Sequence, residues 1–331
     1  MSENTGILVH CEVTNGKLAP IATELLGAGS RLASELGQEL SAVLIGSDSS
    51  KVAQEAVACG ANKVYVVDEP SLNEQSIEPY LLVMEKVVQQ VLPAIILVGQ
   101  TSTGRDLAPW LAFRLNTGAT MDCMALEIDP ATKRLMMTRP VYGGNAQAVQ
   151  VCGTDPQIVA VRSKAMTPAE KNENAQGQII TIEAGIDAGS LKTSVVERKI
   201  EAEAGIKLED ARVIVTGGRG IGSADGFQQL EEIAGLLNGA VGATRPPCDA
   251  KWISDNHQIG ITGKIVSPDL YIAIALSGAS QHLSGFFSSK VIVAINKDPE
   301  ANIFKVADYG IVADWKEALP AFTAKLKEVL G

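Results

Sequence analysis

Along residues 5–114, short apolar runs alternate with stretches in which apolar residues recur every three or four positions. The runs at 6–13, 40–45, 63–67 and 94–98 predict strands, and the stretches at 21–36, 51–57 and 80–91 predict helices between them. That alternation belongs to a mostly parallel sheet covered by helices. After Arg114 the texture changes: strand-like runs at 122–128, 135–141, 147–151 and 158–162 follow with few helical stretches, so the first domain is expected to end in an antiparallel or mixed β section. Residues 165–178 are polar, and 179–182 and 194–198 read as further strands. Residues 197–210 carry four glutamates and little apolar content, which suits an exposed connector. A second alternation follows, with strands at 212–216, 270–276, 291–296 and 310–313 and helices at 226–237 and 316–330. The expected fold is α/β in two domains, 1–205 and 206–331, each a mostly parallel sheet flanked by helices, the C-terminal one Rossmann-like.

Composition narrows the function. At 331 residues the chain fits two domains, and 46% hydrophobic with 20% charged residues is ordinary for globular proteins. Apolar runs such as 94–98 and 291–295 are strand-sized, far short of the roughly 20 residues of a bilayer-spanning helix. The acidic N-terminus has no basic stretch ahead of an apolar one, so neither a membrane-embedded protein nor an export signal is expected, and the expected location is the cytoplasm. A net charge of -10 without a basic run argues against nucleic acid. The five cysteines (Cys11, Cys59, Cys123, Cys152, Cys248) are isolated, which spells neither a zinc site, an iron–sulfur cluster nor a disulfide framework. Three histidines without an H-x-x-x-H pair leave little for a hydrolytic metal.

The chemical signals lie in the second half. The strand at 212–216 empties into Gly217-Gly218-Arg219-Gly220-Ile221-Gly222, where glycines permit close approach to a phosphate and a helix start offers unpaired N–H groups. It is not a full G-x-G-x-x-G, because Ser223 takes the third glycine's place, and no G-K-[ST] follows. Similar turns recur at 242–245, 260–264 and 277–282. Several small, polar turns at the carboxyl ends of parallel strands imply a long, nucleotide-shaped ligand.

These residues carry a resemblance. Thr216 to Gly222, Thr262 to Val266, Tyr271 to His282, and above all Val293-Ala294-Ile295-Asn296-Lys297-Asp298-Pro299-Glu300-Ala301 with Val306-Ala307-Asp308-Tyr309-Gly310 resemble the FAD-binding domain of electron-transfer flavoprotein alpha subunits. Residues 99–109 and Thr117-Gly118 are similar to the family's other signature. The resemblance implies an electron carrier, not an enzyme, with FAD extended on the C-terminal domain. Around the isoalloxazine, ribityl and pyrophosphate it places Arg219, Thr244, Arg245, Ile259, Gly260, Ile261, Thr262, Ser277, Gly278, Ala279, Ser280, Gln281 and His282. At the adenosine end it places Asn296, Asp314 and Trp315. It further implies a beta subunit holding AMP or a second FAD and contacting the first domain. Acyl-CoA dehydrogenase-type donors, a quinone-linked acceptor or a bifurcating one, and an FAD domain that swivels near 205 complete the picture.

An electron shuttle that stops at the one-electron level must stabilise an anionic semiquinone with a fixed positive field. His282 near a short helix start and the permanent cation of Arg245 would supply it, and Thr262 would offer its hydroxyl to flavin N5. Each has a structural alternative: a satisfied helix histidine, a rigid surface turn before Pro246-Pro247, and a capping hydroxyl. Arg105 and Asp106 read as a helix start. Thr244, Ile261 and Pro246-Pro247-Cys248 depart from the family's usual residues, which bears on flavin potential more than on binding. The competing function is an NAD-linked oxidoreductase, but no acid follows the first glycine turn at about 20 residues, the spacing that reads a ribose. A structural partner that has lost FAD is a third reading.

Overall fold

Period-two burial builds the first unit. In the computed structural model, which describes residues 4–69, 72, 76–144, 146–187, 189, 191–193, 195–197 and 205–330, Ile7 and Val9 enter one apolar cluster while Leu8 enters another on the opposite face. Strands buried on both faces read as continuous apolar runs, and this is why the sequence shows them so plainly. The elements begin β1 (Ile7–His10), β2 (Val13–Thr14), β3 (Lys17–Leu18), α1 (Pro20–Leu36), β4 (Leu40–Gly46), α2 (Ala53–Ala58), β5 (Lys63–Asp68) and α3 (Ile77–Val91). They continue β6 (Ile95–Gly99), α4 (Ser102–Arg114), β7 (Ala119–Cys123), β8 (Ala125–Ile128), β9 (Leu135–Val141), β10 (Ala146–Val151), β11 (Gln157–Val161) and β12 (Gln178–Thr181).

Seven strands form the main sheet in the order β12-β5-β4-β1-β6-β11-β7, every pair parallel. α1 and α2 cover one face, and α3 and α4 the other. α4 opens where Arg105 and Asp106 suggested, with the Thr101 hydroxyl accepting the Gly104 N–H at 3.1 Å. The expected β section is smaller than its sequence suggests. Only β10-β9-β8 form a separate sheet, with β8 and β9 antiparallel, while the runs at 122–128 and 158–162 also feed β7 and β11 into the parallel sheet. The first of these runs breaks at Met124, just after a bulge in β7 where Asp122, at φ 64, accepts two hydrogen bonds on its carboxylate from buried Arg162 at 2.8 and 2.6 Å. The run at 6–13 is likewise split, into β1 and the β2–β3 hairpin. The expected strand at 194–198 lies partly outside the described residues, and 195–197 are not strand.

The chain divides into two compact units, Met1–Val141 with Gln147–Lys199, and Tyr142–Ala146 with Ile200–Gly331. Half of the connector at 197–210, residues 198–204, falls outside the described residues, and of the rest Leu208 is buried. The second unit runs β13 (Val213–Gly217), α5 (Ala224–Leu236), β14 (Ala240–Ala243), α6 (Arg245–Asp249), β15 (Leu270–Ile274), α7 (Ser280–Leu283), β16 (Val291–Asn296), β17 (Tyr309–Val312) and α8 (Trp315–Leu330). Its five strands are all parallel in the order β14-β13-β15-β16-β17. Among these named strands the order is 2-1-3-4-5, and an isolated parallel bridge from Ala243 to Gln258, with Ile259 N–H donating to the Ala243 carbonyl at 2.9 Å, adds a segment outside β14 where the third strand of the 3-2-1-4-5-6 Rossmann order stands. In both orders the winding reverses beside the first strand, and ligands sit outside the carboxyl ends there. Among the described residues, no helix is long and apolar enough to cross a membrane.

One small test arises from α5. Gly235 is exposed inside the helix, with open space where a Cβ would stand. Gly235→Ala is expected to raise stability by about 0.5–1 kcal/mol, read as a higher urea midpoint at unchanged slope.

Candidate functional site

A cavity of about 800 Å³ opens at the reversal point of the second sheet, between the carboxyl ends of β13 and β15. Ligand clefts run to roughly 300–1,000 Å³, so the space is of nucleotide scale. Its floor is two turns packed backbone to backbone. Gly218 N–H donates to the Ile274 carbonyl at 2.9 Å and Gly220 N–H to the Ala275 carbonyl at 3.1 Å. A Cβ on Gly218 would lie 2.3 Å from the Ala275 oxygen and 2.5 Å from the Leu276 Cα. Ala275 itself sits at φ 52, the left-handed conformation that a non-glycine residue adopts only when its surroundings impose it. The expectation that these glycine amides cradle a phosphate is therefore revised. Two of them are committed to the end of β15, and α5 starts only after Gly222. The glycines serve close packing, and the exposed guanidinium of Arg219 is the turn's charged contribution.

A second wall comes from the segment after β14. Thr244 precedes α6 and its N–H donates to the Gly217 carbonyl at 3.0 Å, tying this wall to the glycine turn. Arg245 is exposed and pairs loosely with Asp249 at 3.3 Å. Pro246-Pro247 stand in the first turn of α6, where proline's fixed φ suits a helix start, so the expected rigid turn is a short helix. Further on, Ile259 is buried while Ile261 is 54% exposed. Gly260 adopts φ 143, and Ile261 N–H donates to the Gln281 carbonyl at 2.9 Å. Gln258 Nε2 donates to Thr262 Oγ1 at 2.9 Å, which leaves the threonine O–H free to donate outward.

The third wall follows β15. Ser277, Gly278, Ala279, Gln281 and His282 line the cavity, whereas exposed Ser280 at the start of α7 does not. Gly278, at φ 79, leaves no room for a Cβ beside Ile303 N at 2.4 Å. His282 is 6% exposed, with Nδ1 2.8 Å from the Ile259 carbonyl and Nε2 3.0 Å from the Tyr271 hydroxyl. A carbonyl only accepts, so Nδ1 carries the proton and Nε2 accepts from tyrosine. Burial lowers the imidazole pKa to about 4, so the ring is neutral at pH 7. The ring therefore brings a neutral imidazole to the expected positive field, with both nitrogens turned to protein groups, and Arg245 remains its permanent cation. Tyr271, stacked on Phe286 with centroids 3.8 Å apart, holds the ring in place. Tyr271→Phe would leave Nε2 unpaired and is expected to cost roughly 1–2 kcal/mol, measurable as a lower urea midpoint of the second unit.

Asn296 also lines the cavity, its amide donating to the Leu276 carbonyl at 2.7 Å and its oxygen accepting the Asp298 N–H at 3.0 Å. Asp314 and Trp315 do not line it. The Asp314 carbonyl accepts from Glu317 and Ala318, and its carboxylate from Lys316 N–H, which starts α8. Trp315, buried at 7% exposure, donates its indole N–H to the Gly220 carbonyl at 3.0 Å and so braces the glycine turn from behind. Gln258 and Asp298 line the cavity without having been named as site residues. Asp298 lay inside the stretch that carries the family resemblance, whereas nothing in its local spacing marks Gln258, which only the fold brings to the rim.

The residues fit a long dinucleotide with a charged middle: two exposed guanidiniums, Arg219 and Arg245, flank a cleft walled by backbone, hydroxyls and small residues. Comparison with known proteins agrees. Residues 7–187 match the electron transfer flavoprotein domain, and residues 207–287 match the electron transfer flavoprotein FAD-binding domain. The chain is 42% identical over 330 residues to the electron transfer flavoprotein subunit alpha of Thermoanaerobacterium thermosaccharolyticum, covering 99% of this chain and 100% of that one. It is 43% identical over 334 residues to the same subunit of Megasphaera elsdenii, covering 100% and 99%. It is 38% identical over 317 residues to the lactate dehydrogenase (NAD(+),ferredoxin) subunit LctC of Acetobacterium woodii, covering 95% and 75%. The chain therefore belongs to the electron transfer flavoprotein alpha-subunit family, with that family's FAD-binding domain as its second half.

Proposed function

We propose that this chain holds FAD in the cleft between β13 and β15 and, paired with a beta subunit, relays single electrons without transforming a substrate of its own. The observation that carries this reading is the state of His282. The imidazole in the cleft is neutral and has both nitrogens tied to protein groups, so it is not set to move a substrate proton. Asp298, at the rim, accepts its own loop's Glu300 N–H at 3.0 Å. A hydride enzyme needs an acid or base within reach of the reacting atom, and an electron relay does not.

FAD, when bound, supplies the redox chemistry, taking and giving electrons one at a time. The chain's part is to bind, orient and bias. Arg219 and Arg245 offer charge to the pyrophosphate and ring ends. Thr262, with its oxygen accepting from Gln258, has its O–H left for an acceptor on the flavin. Asn296 fixes the turn after β15, while Asp314 and Trp315 act through α8 and the glycine turn. With His282 neutral, Arg245 is the fixed cation that favours a one-electron-reduced, negatively charged cofactor. We further read residues 1–205 as the domain that meets the beta subunit and 206–331 as the FAD-binding domain. The beta subunit holds AMP or, in a bifurcating pair, a second FAD. Donors are acyl-CoA dehydrogenase-type flavoproteins, the acceptor is quinone-linked or bifurcating, and the pair works in the cytoplasm. Relatives named lactate dehydrogenase (NAD(+),ferredoxin) subunit LctC and acryloyl-CoA reductase electron transfer subunit beta support an electron-relaying role beside other redox subunits.

Stepwise dithionite reduction of the chain co-expressed with its beta subunit tests the reading. A bound flavin that passes through a red one-electron species is the expected result. Arg245→Gln should lower that species' maximum roughly fivefold, on the order of 1 kcal/mol for an exposed cation. Direct two-electron bleaching would move the function to hydride chemistry, and failure to bind FAD on reconstitution would overturn the assignment.

A further inference from the structure

The first sheet has its own reversal point, which the electron-relay reading does not use. β4 and β6 flank β1, so the chain winds one way from β1 and then the other, and a ligand site is expected at the carboxyl ends of these strands. A cavity of about 150 Å³ lies there, lined among others by His10, Glu12, Ser47, Ser49, Tyr80 and Thr103.

Two of these groups are incompletely partnered. His10 is 2% exposed, and its buried Nδ1 has no hydrogen-bond partner among the described residues. Folded proteins seldom leave such a nitrogen unpaired, so it marks a place for a water or a ligand. Glu12 accepts the Thr101 hydroxyl on Oε1 at 2.6 Å, and no protein group among the described residues bonds its Oε2. Tyr80, by contrast, donates to the Ile45 carbonyl at 2.9 Å and stands edge-on to His10, which makes it a wall. Burial keeps the imidazole neutral and raises the carboxyl pKa, so the cavity prefers uncharged donors over a bare anion.

The lining also selects by charge and size. No lysine or arginine stands among the described lining residues, which argues against a phosphate. A cavity of about 150 Å³ holds a benzene-sized ring, so a five-membered sugar fits and a whole nucleotide does not. In doubly wound sheets a carboxylate at the strand ends beside the reversal point holds ribose hydroxyls, there supplied about 20 residues beyond the first turn; Glu12 offers the same acceptor chemistry from directly after β1. We propose that the crevice at the ends of β1, β4 and β6 binds the vicinal diol of a ribose-sized sugar, free or as the ribosyl group of a nucleoside. The Glu12 carboxyl takes the diol, the His10 Nδ1 pairs with a neighbouring hydroxyl, and Ser47 and Thr103 close the rim.

The chain's three histidines make the test simple. The full-length protein, with whatever flavin it retains, is labelled with ¹⁵N at its imidazoles and titrated with D-ribose, adenosine and 2′-deoxyadenosine. The His10 signal is identified by its loss in His10→Gln. Ribose and adenosine are expected to move that signal and leave those of His257 and His282 in place. The deoxynucleoside, lacking one hydroxyl, should bind at least about tenfold more weakly. Glu12→Ala should weaken ribose by a similar factor; should that variant not fold, Ser47→Ala should weaken it severalfold. A His10 signal indifferent to all three probes means the cavity holds water only and overturns the proposal. Equal response to the deoxynucleoside overturns it too, as does a response to inorganic phosphate alone. Because the readout is in the first unit, these results are independent of whether FAD occupies the second.

Discussion

Lowering the pH from 6.5 to 4 is expected to remove about 3 kcal/mol of stability from each unit, at about 1.4 kcal/mol per tenfold. The first unit buries His10 and the second His282, and desolvation lowers both from 6.5 to about 4. A histidine whose folded pKa is depressed binds fewer protons folded than unfolded. Its stabilising share is complete above 6.5 and is lost as the pH falls through the folded value. Carboxylates leave much of this window clear. Burial raises Glu12 and Glu24, which strengthens the fold only as they protonate, while Glu55, Asp68, Glu78 and Asp129, held down by hydrogen bonds and nearby lysines, and Asp269, lowered to about 2 by Lys290 and Arg212, weaken it only from the bottom of the window downward. Urea unfolding at pH 7, 5.5 and 4.5, followed by circular dichroism and by a probe for each unit, measures the slope. His282→Gln can still donate to Ile259 and accept from Tyr271, so it should flatten the second unit's slope alone. Unchanged slopes in that variant would show that other groups cause the acid sensitivity.

Gly218→Ala is expected to weaken flavin retention about 100-fold, on the order of 2.7 kcal/mol. The added methyl would meet two backbone atoms, the Ala275 oxygen at 2.3 Å and the Leu276 Cα at 2.5 Å, and neither can swing aside as a side chain could. The glycine turn and the turn after β15 must part by about 1 Å, a displacement large enough to misplace every group they carry. Equilibrium dialysis of the apoprotein against FAD gives the affinity. Gly222→Ala is the comparison: the position has φ 90 but open space, so it should cost only the backbone strain, about 1–2 kcal/mol of stability, and little flavin. Equal flavin loss in both variants would mean that the turn's conformation, and not its packing against β15, shapes the site.

The strands of both parallel sheets were legible because they are covered on two faces: the run at 40–45 falls within β4, buried throughout, and that at 291–296 coincides with β16. Less legible were elements whose apolar pattern is interrupted. β7 and β8 read as one run because they are separated by Met124 alone, beside a bulge at left-handed Asp122 that no turn motif announces. β14, four residues of Ala, Val and Gly, is short and carries no bulky apolar residue beyond valine. At the site, the turns after β13, β14 and β15 stood out through their glycines and hydroxyls, and most of their residues do line one cleft. What each residue does there was hidden. The charge of His282 depends on burial and on Tyr271, eleven residues away, and the place of Trp315 depends on a bond to Gly220 across 95 positions. Spacing in sequence cannot report desolvation or contacts at that range.

The indole of Trp315 also makes the cleft a property of the whole second unit. The glycine turn after its first strand is completed by a side chain from α8, 95 residues downstream. β13 and α5 alone cannot supply that bond, so the wall beside Gly220 is braced only when the two ends of this unit have come together, and damage to α8 should be felt at the glycine turn.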